Sequence, residues 1–181
     1  DTVYGLGCDA FSADGVRALL AAKNRGPDMP VPVLIGSWST IDGLVLGVPR
    51  TARLLVEAFW PGGLSIVLPH APSLGWDLGR TRGTVMLRMP LHPVAIELLR
   101  DVGPMAVSSA NISGQPPAST VQEAVAQLGE SVTVYLDGGP SGDPVASTVV
   151  DLTGSQPRVL REGAVPLAEV SEVLGREVQL A

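Results

Sequence analysis

An α/β fold of the α+β type is predicted, as one domain with a twisted mixed β-sheet and helices packed on it. Three observations predict it. Short apolar runs alternate with helical patterns along the 181 residues. Those runs are too many and too short for a simple doubly wound sheet. Val, Leu and Ala must fill most of the core, because hydrophobic residues make up 45 % of the chain and aromatics only 4 %. The length suits a single core, and no boundary or repeat divides residues 1–181.

Each element has its own signal. Ser12 is placed to cap a helix through about Ala22, with Val16, Leu19 and Leu20 toward the core. Val31 to Ile35 reads as a buried strand. A helix from Thr51 to Phe59 stops at Pro61-Gly62-Gly63, and Leu64 to Leu68 and Thr84 to Met89 read as strands. Pro93 suits the first turn of a helix to Leu99. Met105 to Ser108 is a strand running into Asn111 and Gly114. Thr120 with Glu123 forms a capping-box pattern for a helix that Gly129 stops. Val132 to Leu136, Ser147 to Leu152 and Pro157 to Leu160 read as strands, and Leu167 to Leu174 as a final helix.

Composition narrows the function classes. The net charge of −6 argues against a generally basic nucleic-acid-binding surface, so a polyanion site must come from a few converging cations. No apolar run is long enough to span a membrane. A single cysteine, Cys8, excludes an internal disulfide and a multi-cysteine metal site, and a cytoplasmic location is expected. Lys23 is the only lysine beside eleven arginines. Arginine is a planar fork and lysine a compact point charge on a flexible stem, so the one retained ammonium stands out.

Polar segments gather at the ends of the predicted elements, where binding sites collect. They are Asp1 to Gly7, Lys23-Asn24-Arg25, Thr84 to Pro90, Ser108 to Gly114, Asp137 through Thr148, and Arg161-Glu162-Gly163. Converging, Lys23, Arg25, Arg88 and Arg161 would hold a triphosphate, or a phosphate and a carboxylate. Ser108, Ser109, Asn111, Ser147 and Thr148 would add neutral donors and acceptors. Taken singly, each has a plain structural use as cap, turn former, surface ion pair or strand residue. There is no GxxxxGK[ST] or GxGxxG motif, and His70 and His92 lack a spaced partner for zinc. Cys8 reads as a buried structural thiol. The chemistry on offer is positioning plus cationic stabilisation, as in phosphoryl and nucleotidyl transfer.

Together these segments resemble the YrdC-like threonylcarbamoyl-AMP synthases. The resemblance rests on Asp-Thr-Val-Tyr-Gly-Leu-Gly at 1–7, Lys-x-Arg at 23–25, Phe-Trp-Pro-Gly-Gly-Leu-Ser at 59–65 and Arg88-Met89-Pro90. It continues with Ser-Ala-Asn-Ile-Ser-Gly at 109–114, Asp-Gly-Gly at 137–139, Ser-Thr-Val-Val-Asp at 147–151 and Leu-Arg-Glu-Gly at 160–163. It implies a concave sheet face as active site. It also implies an enzyme that makes threonylcarbamoyl-adenylate and pyrophosphate from L-threonine, bicarbonate and ATP. A downstream transferase would carry the threonylcarbamoyl group to tRNA, next to the anticodon. The signature tetrad maps onto Lys23, Arg25, Ser109 and Asn111. Thr84 and Arg161 would join these four at ATP. Thr2, Tyr4, Arg88, Ser108 and Ser147 would hold L-threonine. Mg²⁺ is expected to arrive with ATP, with no tightly bound protein metal.

The chain also departs from the family pattern. It begins inside the first motif, so an N-terminal strand is expected to be missing, and no accessory C-terminal domain is expected. Gly36 stands where many members place a histidine. Two other readings compete: a non-catalytic double-stranded RNA, tRNA or ribosome-assembly module, and a carbamoyl-adenylate enzyme like the related domain of hydrogenase-maturation proteins.

Overall fold

The computed structural model describes residues 1–142 and 145–181. Its strands are β1 (Gly5–Asp9), β2 (Val33–Leu34), β3 (Leu64–Pro69), β4 (Thr84–Arg88), β5 (Met105–Ser109), β6 (Thr148–Asp151), β7 (Arg158–Arg161) and β8 (Gln179–Leu180). The helices are α1 (Ala13–Ala22), α2 (Ile41–Leu44), α3 (Arg50–Phe59), α4 (Pro93–Val102), α5 (Val121–Leu128) and α6 (Leu167–Leu174). One mixed sheet runs in the order β1-β5-β2-β4-β3-β6-β7-β8. The pairs β2–β4, β3–β6 and β7–β8 are parallel and the remaining pairs antiparallel.

Register divides the sheet into two chemical faces, because successive side chains point to opposite sides of a strand. One cross-strand row reads Cys8, Ala106, Val33, Leu87, Ile66, Val150 and Val159. All of these but Cys8 are fully buried. The neighbouring row, on the opposite face, reads Asp9, Met105, Leu34 and Arg88 on one side and Ser65, Val149 and Arg161 on the other. Extending the β3–β4 register by one residue sets Ser65 opposite Arg88. The first face carries the core, and the second carries most of the candidate polar residues.

The helices follow their sequence signals. The Ser12 hydroxyl accepts from the Gly15 amide, and Val16, Leu19 and Leu20 are buried. Thr120 caps α5 through the Glu123 amide, while the Glu123 carboxylate reaches back to the amide and hydroxyl of Ser119. In Arg161-Glu162-Gly163, Glu162 accepts from the Leu167 amide at 2.8 Å and so caps α6.

Two strand expectations are corrected. Val132 to Leu136 is not a strand: it follows a 3₁₀ turn at Gly129–Ser131 as irregular chain, with Val134 and Leu136 exposed. Its β-formers have no neighbouring strand to pair with, and β-propensity expresses itself only against a partner. Of Val31 to Ile35, only Val33 and Leu34 enter the ladder, although Val31 and Ile35 are buried beside them. The segment Asp137 through Thr148 includes residues 143 and 144, which lie outside the described residues.

Gly36 has a packing reason. A Cβ there would stand 2.8 Å from the Arg100 nitrogen and 2.8 Å from the Leu99 carbonyl carbon, both α4 backbone atoms that cannot step aside alone. The Arg100 side chain donates to the Gly36 carbonyl at 3.3 Å. Gly36 thus sets how closely the end of β2 approaches α4. Gly36→Ala is expected to lower unfolding free energy by about 1–3 kcal/mol in denaturant titration, through overpacking; an unchanged midpoint would mean that α4 moves away freely.

Candidate functional site

Lys23 ends α1 as its C-cap, and Asn24 turns the chain with φ of 51°. Asn tolerates this left-handed conformation better than most residues. The turn sends Lys23 and Arg25 toward the end of β5. Lys23 is only 2 % exposed. Its ammonium donates to the Ser109 carbonyl, to the Asn111 carbonyl at 2.6 Å and to Asn111 Oδ1 at 3.4 Å. Those three acceptors use its three donors. The Lys23 carbonyl in turn accepts from the Ser113 amide at 2.9 Å. Asn111 Nδ2 donates to the carbonyls of Ile112 and Gln115, closing the turn on itself.

The surroundings weaken the charged form of Lys23. Burial, and then the adjacent Arg25, lower its pKa to about 8. Arg25 is itself lowered by burial. It donates to Ser108 Oγ at 3.3 Å and the Pro30 carbonyl at 3.2 Å, and its Nε is buried without a partner.

A second cation pair, Arg88 and Arg161, lies on the sheet face that carries Ser65. Arg88 is 7 % exposed and donates to the Gly62 carbonyl at 2.8 Å, Thr2 Oγ1 at 3.1 Å and Asp1 Oδ2 at 2.6 Å. The same Asp1 oxygen accepts from the Leu91 amide at 2.7 Å. Burial, and then Arg161, lower the Arg88 pKa to about 10, so the two arginines feel each other. Arg161 forks onto the Ser147 carbonyl at 3.0 and 2.8 Å and reaches Ser147 Oγ at 3.1 Å. Gly163 allows this close approach, since a Cβ there would collide with the backbone of Ala146 and Ser147.

Among the described residues, Asp1 is the one carboxylate that pairs with any of these four cations. Two like-charged pairs with so little compensation form a field suited to anions. Thr84 and Ser109 share a face with Arg88, four residues further along β4, or roughly 13 Å at 3.3 Å per residue. The face is therefore long enough for a ligand with anionic groups at both ends.

The remaining candidates separate. The Thr84 hydroxyl donates to the Thr81 carbonyl at 2.8 Å. Ser108 points to the face opposite Ser109, toward Arg25. The Tyr4 hydroxyl donates to the Gly139 carbonyl at 2.6 Å and accepts from the Gly138 amide at 3.1 Å. Tyr4 thus pins the 137–139 turn. Thr148 is spent internally, since its hydroxyl accepts from the Gly163 and Val165 amides and donates to the Val165 carbonyl. Burial, then Asp9, raise the Cys8 thiol to about 11, which leaves it protonated and unreactive at neutral pH. Sequence reasoning passed over two contributors, Asp1 and Ser65. Asp1 was visible in the first motif, but its partner Arg88 is remote in sequence. Ser65 closes the motif at 59–65, but its partner Ser147 is likewise remote in sequence.

The sequence profile of the family described as "Sua5_yciO_yrdC: Telomere recombination" matches residues 1–163. A putative threonylcarbamoyl-AMP synthase of Mycobacterium tuberculosis is 65 % identical over 97 % of this chain and 81 % of its own length. The threonylcarbamoyl-AMP synthase of Bacillus subtilis is 37 % identical over 97 % of this chain and 51 % of its own. The crystal structure of Pyrococcus abyssi Sua5 complexed with L-threonine superposes with a TM-score of 0.92 at 36 % identity, over 99 % of this chain and 53 % of that one. The chain thus spans about half the length of the latter two relatives.

A lone lysine gives a direct test of the buried ammonium. In protein labelled with ¹³Cε-lysine, the single side-chain resonance is expected to titrate near pH 8, not near the usual 10.5. The sign for stability follows from the same shift. With the folded pKa below the unfolded one, the native state releases its proton first, so this group's contribution to stability rises between about pH 8 and 10.5. A midpoint near 10.5 would place the ammonium in solvent.

Proposed function

The chain belongs to the Sua5/YciO/YrdC family, and from that premise we propose that it forms threonylcarbamoyl-adenylate and pyrophosphate from L-threonine, bicarbonate and ATP. The observation that carries the reading is the pair of like-charged cation clusters, Lys23 with Arg25 and Arg88 with Arg161. In the proposed reaction the threonine amine takes up bicarbonate, losing water, to give a carbamate. A carbamate oxygen then attacks the α-phosphorus of ATP, and pyrophosphate leaves with the electron pair of the broken bond. Two anions must meet, and cations placed beforehand lower that cost without reorganising during the reaction.

Each residue has a role in this reading. Arg25 and Arg161 contact the polyphosphate. Lys23 supplies field and fixes the Ser109–Asn111 turn through the carbonyls that it holds. Thr84, Ser109 and Asn111 place the nucleotide. Arg88, held by Asp1 and Thr2, keeps unused N–H groups for the threonine carboxylate, and Ser147, bonded to Ser65, joins it there. Tyr4 acts through the 137–139 turn, and Ser108 through Arg25. Among the described residues no group of three His, Cys, Asp or Glu side chains is set to hold a metal. In this reading Mg²⁺ comes bound to ATP. The product is destined, in this reading, for a transferase that modifies tRNA next to the anticodon.

The test is pyrophosphate release by the intact protein, which is expected to need L-threonine, bicarbonate and ATP together; release independent of threonine contradicts the reading. Lys23→Arg is expected to cut that rate by about tenfold to a hundredfold with the fold retained by circular dichroism. A planar guanidinium cannot match three acceptors arranged around one ammonium. Turnover near that of the wild type would remove Lys23 from the mechanism.

A further inference from the structure

The hydroxyls of Ser65 and Ser147 lie 2.9 Å apart. Ser147 Oγ also receives an N–H from Arg161 at 3.1 Å. Each hydroxyl owns one hydrogen. The pair therefore has two, and only one can lie in the bond between them. Among the described residues, the other meets no acceptor. Thr148 next door shows the contrast, with its hydroxyl donating once and accepting twice within the protein.

Burial decides which hydrogen is free. Ser65 is 2 % exposed and Ser147 7 %. If Ser147 donated to Ser65, the spare hydrogen would sit on the deeper hydroxyl with nothing to receive it, an expensive arrangement. If Ser65 donates, Ser147 Oγ accepts from Arg161 and Ser65 together and turns its own hydrogen outward. Ser65 shares its face with Arg88 and Arg161. With Ser147 so oriented, this end of the site offers a carboxylate donors from Arg88 and from the hydroxyl.

We propose that Ser65 is a positioning residue that makes Ser147 a hydrogen-bond donor to the substrate carboxylate, so that this end of the face selects the carboxylate of an amino acid over its ammonium. This rests on the reaction proposed above and deepens it at the same site. Removing the Ser65 hydroxyl frees Ser147 to rotate and to present a lone pair.

Calorimetric titration of the intact protein tests this. Ser65→Ala is expected to weaken L-threonine binding about tenfold, the worth of one directed hydrogen bond to a charged group. ATP affinity is expected to stay within about twofold, and Ser65→Thr, which restores a hydroxyl, to recover most of the loss. L-threoninol, with an alcohol in place of the carboxylate, is expected to bind wild type and Ser65→Ala equally weakly. A merely structural role would weaken threonine, threoninol and ATP alike, and that outcome overturns the proposal. If Ser65→Ala fails to fold, Ser65→Cys, with a poorer donor of similar size, takes its place under the same criteria. Wild-type binding of L-threonine with no loss in the variant removes only the role of Ser65. No binding of L-threonine by the wild type removes both this proposal and the reaction beneath it.

Discussion

One buried ammonium joins the end of α1 to the turn after β5. Lys23 sits at the end of α1, and the groups that satisfy it are the carbonyls of Ser109 and Asn111 and the Asn111 side chain, beyond β5. A charge taken out of water costs several kcal/mol unless it is well solvated by the protein. Here oxygen dipoles do the solvating, with no carboxylate among them. The charge is therefore held but not neutralised. It also fixes the turn that presents Ser109 and Asn111, and the Ser113 amide returns a bond to the Lys23 carbonyl. The distinction between arginine and lysine becomes concrete at this point. A compact ammonium can sit among three oxygens where a flat guanidinium cannot.

For Arg88 and Arg161, sheet register does what the helix end does for Lys23. Because β3, β4, β6 and β7 are adjacent, Ser65, Arg88 and Arg161 emerge on one face while Leu87, Ile66, Val150 and Val159 pack beneath them. A slip of one residue would exchange the two sets and destroy core and site together. Asp1 and Thr2 then lock Arg88 from the N-terminal segment. A protein with a net charge of −6 thus carries a locally cationic face.

Much of the fold was legible because its signals are local. Ser12 and Thr120 are caps by chemistry, and α6 spans Leu167–Leu174 as its periodicity indicated. Elements that depend on partners were not legible. Gly5-Leu6-Gly7-Cys8-Asp9 has poor β-propensity and becomes β1 only by pairing with β5. Val132 to Leu136 has good propensity and stays irregular without a partner. The site followed the same division. Clustered Lys, Arg, Ser and Asn side chains could be read from their motifs. That Lys23 would point at backbone carbonyls could not, because every residue has a carbonyl and none marks the sequence. Gly36 was read as a missing side chain, and the approach of α4 explains it as a packing requirement.

The Lys23 ammonium holds the turn after β5 in place. Amide hydrogen exchange in Lys23→Met tests it most directly, because methionine keeps the length of the side chain and removes the charge and its three donors. Residues 110–113 are expected to exchange at least about tenfold faster than in the wild type, while Val107 within β5 is unchanged. Equal exchange across 110–113 in the two proteins would contradict it, and would mean that the turn stands without the lysine.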